Sequence, residues 1–176
     1  MKRAMVILVS VVVSLLVSTY AYGADEMKKL DWLVGEWKGE ASARVGPGKP
    51  ETAIQIEKVT PKAGGKVLLV EGLGRRKLED GSAGDVVHDA IALISWDEEK
   101  KTYRFIGHVA QQPSVDTALD MTAPNTLVWG LTPPNGGKAR FTIRLTEKGE
   151  WHEVGEFSPD GEKWFKFLDM TLAKVK

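Results

Sequence analysis

Hydrophobic and polar residues alternate with a period of two along most of this 176-residue chain. From residue 35 onward the apolar runs are roughly 6–12 residues long, and clusters of Gly, Pro, Asn and Asp separate them. This pattern is typical of β-strands joined by tight turns. It predicts ten strands, over residues 35–45, 51–60, 66–76, 86–96, 101–110, 114–121, 126–132, 138–147, 150–158 and 162–174.

The short connections predict how these strands are arranged. None is long enough for a crossover helix, so we expect an antiparallel meander. A sheet without covering helices hides its apolar side and its edges most completely by closing. We therefore predict an all-β fold, an antiparallel meander of about ten strands closed into a lipocalin-like barrel. A β-sandwich is the alternative.

The only helical pattern lies before the first strand. Met27, Leu30 and Val34 fall at i, i+3 and i+7, which predicts one short N-terminal helix from about Asp25 to Leu33. The predicted strands 66–76 and 86–96 are apolar on both faces. We expect the helix to pack over their outer side; a second layer, a ligand or a partner, including a homodimer, are the alternatives.

The first 23 residues resemble an export signal. Lys2 and Arg3 precede an apolar run from Met5 to Val17, and small residues follow at Ala21 and Gly23. We predict a signal peptide over 1–23, cleaved after Gly23, and a single mature domain over 24–176 in the periplasm or outside the cell. A retained anchor is the alternative, although this run is shorter than the ~20 residues that span a bilayer.

Charge and cysteine content exclude several classes of function. The chain has 24 basic and 24 acidic residues, and loss of Lys2 and Arg3 with the leader leaves an excess of two acidic residues. This balance gives no electrostatic basis for binding nucleic acid or for stable membrane association after cleavage. Because the chain has no cysteine, it has no disulfide, no lipidated cysteine and no thiolate metal site.

Two segments resemble a known superfamily. The run Leu30-Asp-Trp-Leu-Val-Gly-Glu-Trp-Lys-Gly39 is similar to the Gly-x-Trp opening of lipocalin-like (calycin) proteins, and to the Gly-x-Trp-x-Gly form of nitrobindin-like proteins, with Gly35, Trp37 and Gly39 at the key positions. The segment 158–171 resembles the closing hairpin of secreted bacterial proteins related to nitrobindin and fatty-acid-binding proteins. The resemblance implies a barrel whose closed end Trp37 plugs, with both glycines allowing backbone to approach the ring.

Few residues indicate catalysis or a cofactor. The histidines at 88, 108 and 152 lie on three different predicted strands without metal-ligand spacing. The nucleophile motifs Gly-x-Ser-x-Gly and Ser-x-x-Lys are absent. The sequence therefore favours a binding protein over an enzyme, with no catalytic residue, metal or cofactor. Nitrobindin-like proteins bind haem through a histidine near the chain end, and the final strand here contains none, which argues against haem binding in that mode. A haem protein with His152 or His108 as the iron ligand is the less favoured alternative.

We therefore predict an exported protein that binds a small apolar ligand inside its barrel. Arg104, Arg140 and Arg144 lie opposite the apolar positions of their strands, so no arginine is expected to bind a ligand carboxylate. A packed barrel that interacts with envelope proteins is the alternative. The expected cavity wall consists of apolar side chains on six strands: Leu69, Ile91, Leu93, Tyr103, Phe105, Trp129, Phe141, Ile143, Trp164 and Leu168.

Overall fold

A computed structural model describes residue 23 and residues 25–44, 46, 48–134 and 136–175. Except for Gly23, the expected signal peptide lies outside these residues. Ten antiparallel strands follow the chain: β1 Gly35–Ala43, β2 Glu51–Lys62, β3 Val67–Lys77, β4 Ala83–Asp97, β5 Thr102–Val109, β6 Val115–Ala123, β7 Thr126–Leu131, β8 Lys138–Leu145, β9 Trp151–Ser158 and β10 Phe165–Lys174.

The strands form one closed barrel. Each strand pairs with its sequence neighbours, and β1 also pairs with β10, so the order around the barrel is β1-β10-β9-β8-β7-β6-β5-β4-β3-β2. In this last pair Gly39 lies opposite Leu172. The predicted ten-stranded antiparallel barrel is confirmed.

A short N-terminal segment closes one end of the barrel. Residues 25–28 are helical, and Asp31–Leu33 forms a 3-10 turn. Met27, Leu30 and Leu33 are buried in the core, which follows from their regular spacing along one side of the segment. The Tyr103 hydroxyl donates a hydrogen bond to the Glu26 carbonyl oxygen at 2.8 Å and so attaches the segment to β5.

This segment packs at the end of the barrel, where Leu30 and Leu33 meet the interior core. The apolar outer side of β3 and β4 stays exposed, with Leu73, Ile91 and Leu93 accessible over 36%, 48% and 40% of their surface. The expectation that the helix covers this face is therefore wrong. A segment of about nine residues is too short to close the end and also cover a sheet face.

Candidate functional site

Side chains fill the barrel interior beside the N-terminal segment. Leu119, Leu127 and Leu172 have no accessible surface, and Trp37 has 1%. The Trp37 indole N–H donates to the Leu33 carbonyl oxygen at 2.7 Å, which satisfies its buried donor. This closed end of the barrel has no room for a ligand.

The two glycines that flank Trp37 have different roles. Gly35 has φ 132°, a backbone conformation that other residues rarely adopt. A side chain at Gly39 would collide with the backbone of β10 at the Thr171 carbonyl oxygen and the Leu172 Cα. Gly39 therefore allows close approach of β10, whereas the resemblance implied an approach to the Trp37 ring.

Three aromatic rings stack inside the barrel beyond this core. The ring centroids of Phe105 and Trp129 are 4.5 Å apart, and those of Trp129 and Phe141 are 4.1 Å apart. Phe167 adds an edge-on contact to Phe141 at 5.6 Å. All four side chains belong to interior contacts, yet each retains accessible surface. We call Phe105, Trp129 and Phe141 the aromatic stack.

Polar side chains lie on the opposite wall of the barrel. This wall is formed by β2 and β3, which lie across the barrel from β7 and β8. Gln55 and Glu57 of β2 are buried, and the Gln55 amide donates to Glu57 Oε1 at 2.7 Å. Their side-chain ends occupy the space above Gly74 and Gly72 of β3, where a Cβ would collide with them. The two glycines therefore make room for a buried amide and a buried carboxyl.

A second carboxyl, that of Glu153 on β9, reaches the same interior. Burial and, second, the nearby charge of Glu57 together raise the pKa of Glu153 to about 8. Burial also raises the pKa of Glu57 to about 7, against the hydrogen bond from Gln55. Two carboxyls that disfavour each other's charge share protons near neutral pH. We call Glu57 and Glu153 the acid pair.

The indole of Trp151 lies beside this acid pair. Trp151 is 3% exposed, and its N–H makes no hydrogen bond of regular geometry. The indole N–H interacts with the Glu153 carboxyl and lowers its pKa. An unsatisfied buried donor is uncommon in folded proteins.

The histidines lie at separate places. His88 of β4 is partly buried on the inner face, opposite Gly74 of β3, and burial lowers its pKa while the charge of Asp89 opposes this. His108 is exposed on the outer face. His152 also lies on the outer face, with Nε2 at 3.2 Å from Asp169 Oδ1 and Nδ1 accepting from Arg144 Nε at 3.2 Å. Neither His108 nor His152 is placed to bind a haem iron inside the barrel.

The expected cavity wall is only partly placed in the interior. Phe105, Trp129, Phe141 and Leu168 face inward and retain accessible surface. Tyr103 and Ile143 face inward but are packed into the buried core, at 3% and 6% exposure.

Four members of that expected wall lie on the outer face, contrary to the prediction. Ile91 and Leu93 are exposed, and Leu69 shares their side because it pairs with Leu93 in register. A strand presents only alternate residues to the interior, and in β4 the inward residues include Ala92 and Ile94. Trp164 lies outside the barrel, where the Arg140 Cζ atom is 4.2 Å from the centroid of the Trp164 ring.

The period of two in β2 also explains why the sequence does not identify Gln55 and Glu57 as interior residues. In β2, Ile54 and Ile56 alternate with Gln55 and Glu57, and such a pattern normally places isoleucines inside. The structure places the polar pair inside instead. The signal that accompanies this inversion is Gly72-Leu-Gly74 on the neighbouring strand, which provides the room.

A groove of about 540 Å³ lies outside the barrel, over β1, β2 and β10. Its lining combines Ser42, Arg44, Thr52 and Asp169 with Phe167 and Leu168, and it is open to solvent, so it lacks the enclosure of a small-molecule site. The described residues contain no cluster of three or more His, Asp or Glu side chains that could hold a metal ion. Among them there is also no helix long and apolar enough to cross a bilayer.

No family model and no curated protein matches the chain. Among solved structures it is similar to the crystal structure of Rv2717c from M. tuberculosis, with a TM-score of 0.62 and 11% sequence identity. The match covers 85% of this chain and 97% of that one. At this identity the similarity shows a shared barrel-type fold and leaves function open. Membership of the lipocalin superfamily stays a prediction.

Proposed function

We propose that this protein binds a small, largely apolar ligand inside its barrel, against the aromatic stack. The observation that carries this proposal is the accessible surface that Phe105, Trp129 and Phe141 retain although they face inward. A filled interior would bury these rings as completely as it buries Leu119 and Leu127 at the closed end. Flat aromatic walls favour planar or cyclic apolar ligands.

We propose further that the protein acts after export, in the periplasm or outside the cell. The support is the basic, apolar and small-residue order of residues 1–23. A first test is native mass spectrometry of the mature protein purified from its own host, before and after organic extraction. A reproducible loss of mass identifies a bound small molecule, whereas a bare chain mass in both samples contradicts a tightly held ligand.

Substitution of one stacked ring tests the site itself. Phe141→Leu removes the ring that stacks on Trp129 at 4.1 Å and should weaken binding of a neutral bicyclic aromatic such as naphthalene or indole about tenfold. Isothermal titration calorimetry measures the affinity. Phe165→Leu is the matched control, because Phe165 is 60% exposed and should leave the affinity unchanged. Equal affinities for both variants would place the ligand elsewhere.

A second candidate function, interaction with another protein, is favoured by the exposed apolar side chains of β3 and β4. We propose that the occupant of this face is a second copy of the chain. Leu73, Ile91 and Leu93 are exposed beside Lys58 and Glu71, which pair in register across β2 and β3. The opposite charges of Lys58 and Glu71 suit a two-fold contact in which the lysine of each copy meets the glutamate of the other.

A further inference from the structure

We propose that the ligand of the barrel carries a basic nitrogen, and that Glu57 and Glu153 bind this group while the aromatic stack holds the apolar part. The ligand class is therefore an aromatic or cyclic amine. This inference rests on the function proposed above. It adds the part of the ligand that the polar wall recognises.

Glu153 lies on the inner face of β9, two residues from Gly155, which pairs in register with Phe141 of the aromatic stack. Glu57 comes from β2, and Glu153 comes from β9, three strands away through β1 and β10. The charge of Glu57 is close enough to raise the pKa of Glu153. Among the described residues, neither carboxyl forms an ion pair with a lysine or arginine. A buried carboxyl pair without a cation is costly when ionised, and a bound ammonium group relieves that cost.

The buried indole of Trp151 is a further polar group beside the acid pair. Its N–H interacts with the Glu153 carboxyl without completing a regular hydrogen bond. A carboxylate accepts up to four hydrogen bonds, so Glu153 can accept from this indole and from a ligand ammonium group together. Ionisation of Glu153 on binding would strengthen both contacts.

The neighbouring strands determine which other charges act on the acid pair. Trp37 of β1 and Gly72 of β3 flank Glu57 in register, whereas Ile143 of β8 and Met170 of β10 flank Glu153. None of these four side chains is ionisable.

Two further titratable groups lie near this interior. His88 is on the inner face of β4. The Lys174 ammonium lies 5.0 Å from the Trp37 ring centroid at the end of β10. The pKa of His88 is lowered by burial, so this side chain is mainly neutral at neutral pH. The protons that exchange inside the barrel near neutral pH therefore belong mainly to Glu57 and Glu153.

Binding then exchanges a proton for a cation. At neutral pH the pair holds at least one proton, and an ammonium ligand that replaces it releases that proton to solvent, with charge conserved inside the barrel. Affinity for an amine should therefore rise with pH, by up to about tenfold per pH unit for each proton released, until both carboxyls are ionised. A neutral ligand of the same shape should show no such increase.

The test compares benzylamine, benzyl alcohol and benzoate on the mature chain by titration calorimetry at about pH 6 and about pH 8, either side of the pKa of Glu57. We expect benzylamine to bind at least about tenfold more tightly than benzyl alcohol at the higher pH. We expect benzoate to bind most weakly. Titrations in two buffers of different ionisation enthalpy should show proton release with benzylamine alone.

Variants assign the effect to the acid pair. Glu57→Gln and Glu153→Gln keep side-chain size and should abolish the preference for the amine while benzyl alcohol still binds. Glu156→Gln, on the outer face of β9, is the control and should keep the preference. If benzyl alcohol binds and the amine binds no tighter, the amine assignment is overturned and the proposed function stands. If neither ligand binds, both fail. The buffer experiment needs only the unaltered chain, so it decides the question even if a variant does not fold.

Discussion

Glycines 72 and 74 show how the absence of a side chain on one strand determines the chemistry on the next. Gln55 and Glu57 lie over them, in the space that two Cβ atoms would need. The buried amide and carboxyl of β2 therefore depend on residues of β3. This dependence is also why sequence reasoning, which treats each strand separately, did not find Gln55 and Glu57.

Stability should depend on pH through the same acid pair. The pKa values of Glu57 and Glu153 are raised from 4.5 to about 7 and about 8, so the folded state binds more protons than the unfolded state between these limits. The free energy of unfolding should therefore fall as the pH rises from about 5 to about 8.

Glu153→Gln should remove much of this decrease. The variant should be more stable than the unaltered protein by about 2 kcal/mol at about pH 8, and the difference should shrink toward pH 5. Urea unfolding followed by tryptophan fluorescence measures it. Glu147→Gln, in an exposed turn, should retain the original pH dependence. A parallel loss of stability with pH in Glu153→Gln would contradict this role.

Gly39 should tolerate no side chain. The Cβ of Gly39→Ala would lie against the backbone of β10, which cannot turn away as a flexible side chain can. We expect a loss of about 3 kcal/mol in the free energy of unfolding. Gly48→Ala is the control, because nothing lies within 4 Å of the added Cβ. Similar midpoints in a thermal melt of the two variants would show that β1 and β10 separate easily.

At the scale of whole elements, most boundaries could be predicted because turn residues interrupt the alternation so regularly. Strand β10 is predicted over 162–174 and forms over Phe165–Lys174. The face of a strand is predictable where only one side is apolar, as in β8, where Ile143 is buried and Arg144 is exposed. In β4 both sides are apolar, so the period alone does not identify the inner one, and Ile91 and Leu93 were placed wrongly.

The exposed face of β3 and β4 predicts self-association. Leu93→Lys places a charge in the centre of this face and should convert a dimer to a monomer with little change in thermal stability, because Leu93 is already 40% exposed. Sedimentation velocity measures the mass. Leu78→Lys, an equally exposed position in the turn after β3, should leave the dimer intact. A monomer in the unaltered protein at all concentrations would refute the dimer.

At the scale of the molecule, closure makes every strand dependent on the last one. Removal of residues 165–176 deletes β10 and leaves β1 and β9 with unpaired edges. Open edges pair with other chains, so this variant should form soluble aggregates or precipitate. Light scattering after size-exclusion chromatography measures this. Removal of Lys176 alone should leave a discrete species, and a discrete folded product from the larger deletion would mean that the barrel does not need closure.

The pairing of β1 with β10 also has a consequence for biosynthesis. Residues at the two ends of the domain, such as Gly39 and Leu172, meet only once the C-terminal strand has been synthesised. Until then the nascent chain has no closed barrel. This suits the proposed export, because a chain that cannot complete its fold early can still be threaded through a narrow translocation channel.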